Sequence, residues 1–301
     1  MRTELEGPRA ESGRARLVWG QRWDAGQAAI GLGLAVVFMA MAYPLFYVLS
    51  LSVMPYDEYV RRAIHAWPAG FTLTYYREVL ADSRLVRAFE VSILKTVIGT
   101  ALNVVATTMC AYALSRRELR CGRLLSLLFL VPLFVSGGLI PYYLTIRATG
   151  LLNSFWALVI PGLVASFYLF IVRTHFRSYP QEVIEAAVMD GAGQFRIFWQ
   201  IVWPTSKPMV ATIALLYGTG HWNDYYWPSI LVQADLHPAT VVLQNITTSR
   251  SVLQGLGLGT QLTPQSFAAA VAALLIVPVL IVYPFAQRHL VRGILLGSVK
   301  G

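Results

Sequence analysis

Six stretches of the chain contain no Asp, Glu, Lys or Arg, and they constrain the fold more than any other feature of the sequence. They are residues 25–56, 96–115, 124–146, 148–172, 208–223 and 251–287. An α-helix rises about 1.5 Å per residue, so about 20 apolar residues are needed to cross a hydrocarbon core of roughly 30 Å. Five of the stretches reach that length. This pattern predicts an all-α integral membrane protein.

The overall composition agrees with this prediction. Only 13% of the 301 residues are charged and 56% are hydrophobic, with a mean hydropathy of +0.56. A soluble domain carries about 25% charged residues. The composition therefore excludes a compact soluble enzyme.

The fifth stretch has 16 residues and is too short to span a membrane unless Asp224 lies within it. We therefore expect a continuous span from about Met209 to Val232. The first stretch is predicted to be a retained helix, because it is longer than the apolar region of a signal peptide and follows a polar segment. The six predicted spans are about 27–52, 88–114, 124–147, 154–174, 208–233 and 266–288. The predicted domains are a cytoplasmic tail over 1–24 and a single transmembrane domain over 25–301.

The distribution of basic residues predicts the orientation of these spans. Cytoplasmic loops of membrane proteins carry an excess of Lys and Arg. Sixteen basic residues lie in the two termini and the second and fourth connections, and six lie in the connections of the other face. Both termini are therefore predicted to be cytoplasmic. This bias also accounts for the net charge of +9 without a nucleic-acid partner. Cys110 and Cys121 lie toward the cytoplasmic side, where thiols stay reduced, so no disulfide is predicted.

A polar segment between the fourth and fifth spans, residues 176–206, is too long for a simple turn between helices. Ser178 and Gln181 resemble a capping box that begins a helix, and Gly191 provides a stop. One apolar stripe is predicted on this helix, formed by Val183, Ala187 and Val188.

A second helix is predicted over the sequence QFRIFWQIVW, which ends at Pro204. Its apolar side is expected to contain Phe195, Phe198, Ile201 and Val202. The resulting helix-turn-helix could lie on lipid, anchored by Trp199 and Trp203. However, the first helix carries Glu182, Glu185 and Asp190 and no basic residue, which favours a protein partner over a lipid surface.

Several motifs of catalytic and nucleotide-binding proteins are absent from the sequence. It has no G-x-x-x-x-G-K-[ST] motif for ATP phosphates, no H-E-x-x-H or G-x-S-x-G motif, and no Cys or His cluster at metal-ligand spacing. We therefore predict no catalytic residue, no metal site and no cofactor in this chain. If energy is used, another subunit must supply it.

The segment EAAVMDGAGQFRIFWQIVWP resembles the EAA loop of ABC importer permeases. Glu185, Ala186, Ala187, Gly191, Ile201 and Pro204 match the positions of that motif, while Trp203 stands where Leu is usual. The segments FTLTYYREVL, AYALSRREL, HWNDYYWPSIL and RGILLGSVKG extend the resemblance over most of the chain. Together they resemble the maltose-type carbohydrate permeases, and more narrowly the branch that serves complex oligosaccharides, in whose neighbourhood alginate importers lie.

The resemblance implies a type I importer in the bacterial inner membrane. Its expected partners are a second homologous permease that forms a heterodimer, two ATPase subunits that bind ATP and Mg, and a periplasmic substrate-binding protein. The residues implied to couple this chain to an ATPase are Glu182, Glu185, Ala186, Ala187, Asp190 and Gly191. ATP-driven closure of the ATPases would then move an oligosaccharide inward by alternating access.

Ionisable residues within spans are candidates for function, because burying a charge in lipid is costly. Lys95 and Asp224 are such residues, and aromatic and amide groups that suit a sugar surround Asp224. The predicted substrate path contains Lys95, His221, Trp222, Asn223, Asp224 and Tyr225. Alternatively, Lys95 pairs with Asp224 or extends to the interface, and the aromatic residues form an outer belt.

Two other classes of function compete with a transport subunit. The first is an intramembrane enzyme that acts on a lipid-linked sugar, with Asp224 and His221 as acid and base. It leaves the cytoplasmic helix-turn-helix unexplained. The second is a membrane scaffold, which explains that element but not the buried charges. The sequence therefore favours a transport subunit.

Overall fold

A computed structural model describes residues 25–61, 67–255 and 265–298, and within these ranges it describes no side chains at 25, 56, 60, 250–255 and 285–298. All regular secondary structure in these ranges is helical, which confirms the predicted all-α class. The predicted tail over 1–24 lies outside the described residues. The chain divides into two compact units, Met1–Phe46 and Tyr47–Gly301.

The helices of the described ranges are numbered here in chain order. They are α1 (Ala25–Val53), α2 (Tyr56–Arg61), α3 (Thr74–Ala81), α4 (Ser83–Ser115), α5 (Gly122–Phe134), α6 (Leu139–Ala148), α7 (Ser166–Arg177), α8 (Gln181–Met189), α9 (Gln194–Ile197), α10 (Trp203–Thr205), α11 (Lys207–Asn223), α12 (Tyr226–Leu231), α13 (Ala239–Gly255) and α14 (Gln265–Ser298). Short 3₁₀ helices cover Phe155–Leu158, Ile160–Gly162 and Ala234–Leu236, and a π-helix covers Phe198–Val202.

Three helices in the described ranges are long and apolar enough to cross a membrane: Gly26–Val53, Ser83–Ser115 and Gln265–Pro284. A fourth span is formed if the bent pair Phe155–Gly162 and Ser166–Arg177, whose axes differ by 47°, crosses as one unit. Within Met1–Phe46, the described part of α1 exposes its large apolar side chains. Such a surface suits contact with lipid.

The predicted third span is divided into two helices. α5 ends at Phe134, α6 begins at Leu139, and Gly138 between them has φ +80°. Pro141 lies in the first turn of α6, where its missing N–H leaves no helical bond unmade. The same residue could not continue a helix from α5, because it has no N–H to donate to residue 137.

The predicted fifth span is also divided, so the expectation of a continuous helix through Asp224 is wrong. α11 ends at Asn223, Asp224 has an extended backbone (ψ 117°), and α12 begins at Tyr226. Pro228 explains the break, because it cannot donate a hydrogen bond to the Asp224 carbonyl. That carbonyl accepts a bond of 3.1 Å from the Thr240 hydroxyl instead.

α4 is the central helix of the unit Tyr47–Gly301. It packs against α11 and α7, and α11 packs in turn against α14. One core cluster joins α4, α7, α8 and α11, and includes Tyr112, Phe176, Ile184, Phe198 and Tyr217. The segment that resembles the EAA loop is therefore packed into the same core as the long helices.

Candidate functional site

The segment that resembles the EAA loop begins with α8 and turns at Gly191. Gly191 has φ +78°, and the amide of Ala192 donates to the Ala187 carbonyl over 2.9 Å, which closes the helix end. The expected capping box is not formed. Pro180 is the N-cap residue, and the Ser178 hydroxyl donates to the carbonyl of His175 in the preceding helix.

The buried face of α8 differs from the predicted stripe. Ile184 and Ala187 are buried, whereas Val183 and Val188 are 42% and 47% exposed. Ile184 was not part of the prediction, although its spacing of three residues from Ala187 places both on one helical face. The core cluster shared with α4 and α7 selects this face, so α8 presents apolar residues outward.

The second helix of the segment is not a continuous α-helix. α9 passes into the π-helix Phe198–Val202, in which the Trp203 amide donates to the Phe198 carbonyl five residues earlier. Pro204 was predicted to end this helix, but it lies inside α10, which continues to Thr205. Proline is tolerated there because it is in the first turn of α10.

The wider turn also changes which side chains face the core. Ile197, Phe198 and Val202 are buried, whereas Phe195 is 67% exposed. The prediction of Phe195 on the apolar side is therefore wrong. A π-helix rotates each residue by less than an α-helix does, so an α-helical spacing does not describe this face.

Tyr112 near the end of α4 connects this long helix to the loop. Its hydroxyl donates to the side-chain oxygen of Gln194 over 3.0 Å. Its ring also packs against the rings of Phe176 and Phe198, with centroid distances of 6.1 and 5.1 Å. Tyr112 is not evident from the sequence, because nothing local indicates a contact 82 residues away.

The residues predicted to couple to an ATPase lie together on α8 and its turn. Ala187 is buried, and the other five are exposed: Glu182, Glu185, Ala186, Asp190 and Gly191. The exposed face of this short helix therefore carries three carboxylates, and its buried face holds it against the core.

A buried ion pair joins α4 to the break after α11. The Lys95 ammonium donates to an Asp224 carboxylate oxygen over 2.7 Å, and the Lys95 side chain is fully buried. The other Asp224 oxygen accepts the Trp227 amide over 3.4 Å. The structure thus contains the pairing of Lys95 with Asp224 that the sequence analysis gave as an alternative to a lysine facing the substrate path.

The structure brings three of the six predicted path residues together. His221 packs against α4 beside Lys95, because its ring lies directly over Gly99. Trp222 instead points into the core, where its indole N–H donates to the Leu275 carbonyl over 3.1 Å. Asn223 and Tyr225 are exposed at the end of α11.

A polar stripe on α4 was missed by the sequence analysis. Ser92, Thr96, Thr100, Asn103 and Thr107 follow one another at intervals of three or four residues, which places them on one face of the helix. Their helical spacing, which from Thr96 onward lies in a charge-free stretch, was the signal that could have revealed them. Four buried polar atoms at this interface lack a hydrogen-bond partner within the described residues: Thr96 Oγ1, Thr100 Oγ1, Asn103 Oδ1 and His221 Nε2.

The stripe also holds the helices together through direct bonds. The Tyr217 hydroxyl lies 2.6 Å from the Thr107 hydroxyl and accepts the Ala165 amide over 2.9 Å. The Ser92 hydroxyl accepts the Ala239 amide over 2.9 Å. Among the described residues, no group of three or more His, Cys, Asp or Glu side chains could hold a metal ion.

Comparison with known proteins identifies the family. Residues 103–296 match the model of the binding-protein-dependent transport system inner membrane component. The chain belongs to this family. The prediction of an importer permease is therefore confirmed, and the chain is a non-catalytic transport subunit of the inner membrane.

Two relatives from Bacillus subtilis (strain 168) match most of this permease. Protein LplC is 35% identical over 86% of this chain and 89% of its own. The polygalacturonan/rhamnogalacturonan transport system permease protein YtcP is 36% identical over 86% of this chain and 92% of its own.

A solved structure is similar over an even larger part of the permease. It is the crystal structure of a bacterial ABC transporter involved in the import of the acidic polysaccharide alginate. The TM-score is 0.79 and the identity 26%, and the match covers 89% of this chain and 99% of the other. The fold and the family therefore agree over nearly the whole chain, and the alternative of an intramembrane enzyme is not supported.

Proposed function

We propose that this permease imports an oligosaccharide of acidic character, from the periplasm to the cytoplasm. The observation that carries the proposal is the match to the alginate importer, which covers 99% of that chain at a TM-score of 0.79. The name of YtcP, a polygalacturonan/rhamnogalacturonan transport system permease protein, points to the same class of substrate. Lys95 alone cannot balance the negative charge of an acidic substrate, because Asp224 already neutralises the charge of the Lys95 ammonium.

The proposed topology has six spans with cytoplasmic termini. Four spans correspond to the long helices and the bent pair, and the other two correspond to the divided segments α5–α6 and α11–α12. Breaks within spans are tolerated when other parts of the protein satisfy the freed backbone groups. The bond from Thr240 to the Asp224 carbonyl is an example.

Labelling of Cys121 tests this topology. Cys121 is exposed, whereas Cys110 is half-buried within α4. In a Cys110→Ser background, we expect a membrane-impermeant maleimide to label Cys121 in inverted membrane vesicles and not in intact spheroplasts. Labelling in intact spheroplasts alone would reverse the proposed orientation.

The proposed assembly pairs this chain with a second homologous permease, two ATPase subunits that bind ATP and Mg, and a periplasmic substrate-binding protein. Within it, α8 is the element that docks on an ATPase, through the exposed residues Glu182, Glu185, Ala186, Asp190 and Gly191. Ala187 holds the helix to the core on its other side. The contacts of Tyr112 with Gln194, Phe176 and Phe198 support a rigid transfer of motion from the segment that follows α8 to α4.

The proposed substrate path lies beside the ion pair at the break between α11 and α12. Lys95, His221 and Asp224 form its polar wall, and Asn223 and Tyr225 are exposed next to it. Trp222 is not available to a sugar in this arrangement, because it is buried against Leu275. Its proposed role is to fix the end of α11 against α14.

Reconstitution of the complete importer tests the proposed substrate class. Proteoliposomes that contain the permease pair, the ATPases and the binding protein should take up a uronic-acid oligosaccharide in preference to a neutral one of equal length. ATP hydrolysis should rise with the same substrate. Equal uptake of the neutral oligosaccharide would contradict the acidic character, whereas an amino acid or a metal ion as the only transported solute would contradict the whole substrate class.

A further inference from the structure

A cavity of about 420 Å³ lies where α4, α5 and α7 meet, at the ends that carry the basic residues. Five arginines line it, and none of its lining residues is acidic: Arg116, Arg117, Arg123, Arg173 and Arg177. Because arginine remains charged in proteins, the cavity has a strong positive potential. This potential favours an anionic ligand.

The five arginines form no ion pair within the part of the chain that the structure describes, although Arg116, Arg117 and Arg177 also line a neighbouring cavity with Glu118 and Glu185. The ion pairs found there are Arg84–Asp82, Arg87–Glu90 and Lys95–Asp224, none of which lies at this cavity. Arg173 and Arg177 are four residues apart on α7, a spacing at which like charges repel each other. A bound anion would relieve this repulsion.

Two of the arginines are fixed in position by the protein. Arg173 donates from Nε to the Leu114 carbonyl over 3.0 Å, which leaves its terminal nitrogens for other partners. The Arg116 guanidinium lies 4.3 Å above the Tyr112 ring, and its buried Nε has no hydrogen-bond partner among the described residues. Such fixed guanidinium groups suit the bidentate recognition of a phosphate.

The apolar side of α5 begins directly at this cavity. Gly122 lines the cavity and starts the helix, and Leu124, Leu127 and Leu128 beyond it are 65%, 53% and 63% exposed. A charged cavity next to an apolar helix matches a molecule with a phosphate at one end and acyl chains at the other. Basic cavities between membrane helices on the cytoplasmic side bind such headgroups.

We propose that this arginine cavity binds the phosphate headgroup of an anionic membrane lipid, with the acyl chains along α5. An acidic segment of a partner protein explains the charge of the cavity but not the exposed leucines that continue from it. The lipid therefore accounts for both observations. It would fasten α4, α5 and α7 together close to α8.

A binding titration on the purified complete importer in detergent tests the proposal. The probes are fluorescent analogues of phosphatidylglycerol and phosphatidylcholine, which share their acyl chains and differ in net charge. The variant combines Arg117→Gln, Arg123→Gln and Arg177→Gln, and keeps Arg116 and Arg173 because they make contacts within the protein. The matched control combines Arg84→Gln, Arg87→Gln and Arg120→Gln, which removes three arginines that do not line the cavity.

The wild type should bind the phosphatidylglycerol analogue at least on the order of tenfold more tightly than the phosphatidylcholine analogue, since each arginine near an anionic headgroup contributes roughly a factor of five. The triple variant should lose this preference and the control should keep it. The same preference in all three proteins, or in none, would overturn the proposal.

Two further outcomes identify another ligand for the same arginines. Complete displacement of the lipid analogue by millimolar inorganic phosphate would identify a site for free phosphate and overturn the lipid assignment. Loss of the ATPase subunits from the triple variant, with its lipid preference unchanged, would assign the arginines to a protein contact. A correctly assembled variant that has lost only the lipid preference supports the proposal, whatever substrate the importer carries.

Discussion

A β-carbon added at Gly99 would lie 2.6 Å from Nε2 of His221, so α4 and α11 approach each other closely where these two residues meet. Only glycine leaves room for the imidazole at this point. The approach places His221 beside Lys95 and thus brings the polar groups of two helices together within the membrane.

Gly99→Ala should therefore destabilise the protein. Overpacking costs about 1–3 kcal/mol, which exceeds the gain of about 1 kcal/mol when alanine replaces glycine within a helix. Gly218→Ala is the matched control, because its β-carbon would meet only the Thr100 hydroxyl at 3.4 Å. Thermal unfolding of the purified importer measures both changes. His221→Ala should rescue Gly99→Ala by removing the ring, and a double variant no more stable than Gly99→Ala would contradict this explanation.

The pair of Lys95 and Asp224 predicts a strongly non-additive mutant cycle. Asp224→Leu alone should cost about 3–5 kcal/mol, because it leaves the fully buried Lys95 without its partner. Lys95→Met alone should cost less, because the Asp224 side chain is 26% exposed. The double variant should recover most of this loss, since both charges are gone. Thermal unfolding again provides the measurement, with Arg147→Met as an exposed control expected to change stability by less than about 0.5 kcal/mol. Additive losses in the double variant would show that the two residues do not act as a pair.

The sequence was sufficient to predict the helical class and the family. The long charge-free stretches and the EAA-like segment are patterns formed by residues that are close together in the chain, so the sequence alone reveals them. The proximity of Lys95 and Asp224 was also accessible as an alternative, because a buried charge requires a partner.

The sequence was not sufficient to predict the details that depend on packing. The apolar face of α8 is set by the core cluster that it shares with α4 and α7, so Ile184 is buried instead of Val183. Pro228 is the local cause of the break at Asp224, but the groups that bind Asp224 there, Lys95 and Thr240, are distant in sequence. Packing also separates two neighbouring residues of the predicted substrate path. Trp222 turns toward α14, whereas His221 turns toward α4.

Gly191 allows a test of the proposed coupling role. Its φ of +78° is strained for any residue with a side chain, and no atom lies within 4 Å of an added β-carbon, so Gly191→Ala should act through backbone strain alone, by about 1–2 kcal/mol. Gly150 has a similar φ of +72° and equal open space, which makes Gly150→Ala the matched control. Gly191→Ala should reduce the substrate imported per ATP hydrolysed, and Gly150→Ala should not. Equal ratios in both variants would contradict the coupling role of the turn.

Asp82 predicts a pH dependence at the start of α4. Its side chain accepts the Arg84 amide over 2.9 Å and binds the Arg84 guanidinium, and these hydrogen bonds hold the pKa of the Asp82 carboxyl below its ordinary value. Because this pKa is lower in the folded state than in the unfolded state, the ionised carboxylate stabilises the folded protein when the pH is above the unfolded-state pKa of about 3.9. This stabilisation is lost as the pH falls through the folded-state pKa.

Asp82→Asn tests this charge, because asparagine keeps an oxygen that can cap the helix. The wild type should be more stable than Asp82→Asn by about 0.3–1 kcal/mol at neutral pH, and the difference should shrink below about pH 4. Thermal unfolding of both proteins between about pH 3 and 7 measures it. A difference that stays constant over this range would show that the Asp82 charge does not contribute.

The central claim is that this chain works as the membrane subunit of an ATP-driven importer, and co-purification from its native membrane tests that claim most directly. The mildly solubilised chain is isolated, its companions are identified by mass spectrometry, and ATP hydrolysis is measured in the presence of uronic-acid oligosaccharides and the binding protein. The account predicts recovery of a P-loop ATPase and a second permease, with hydrolysis stimulated by the sugar. Recovery of this chain alone, with no nucleotide turnover, would contradict it.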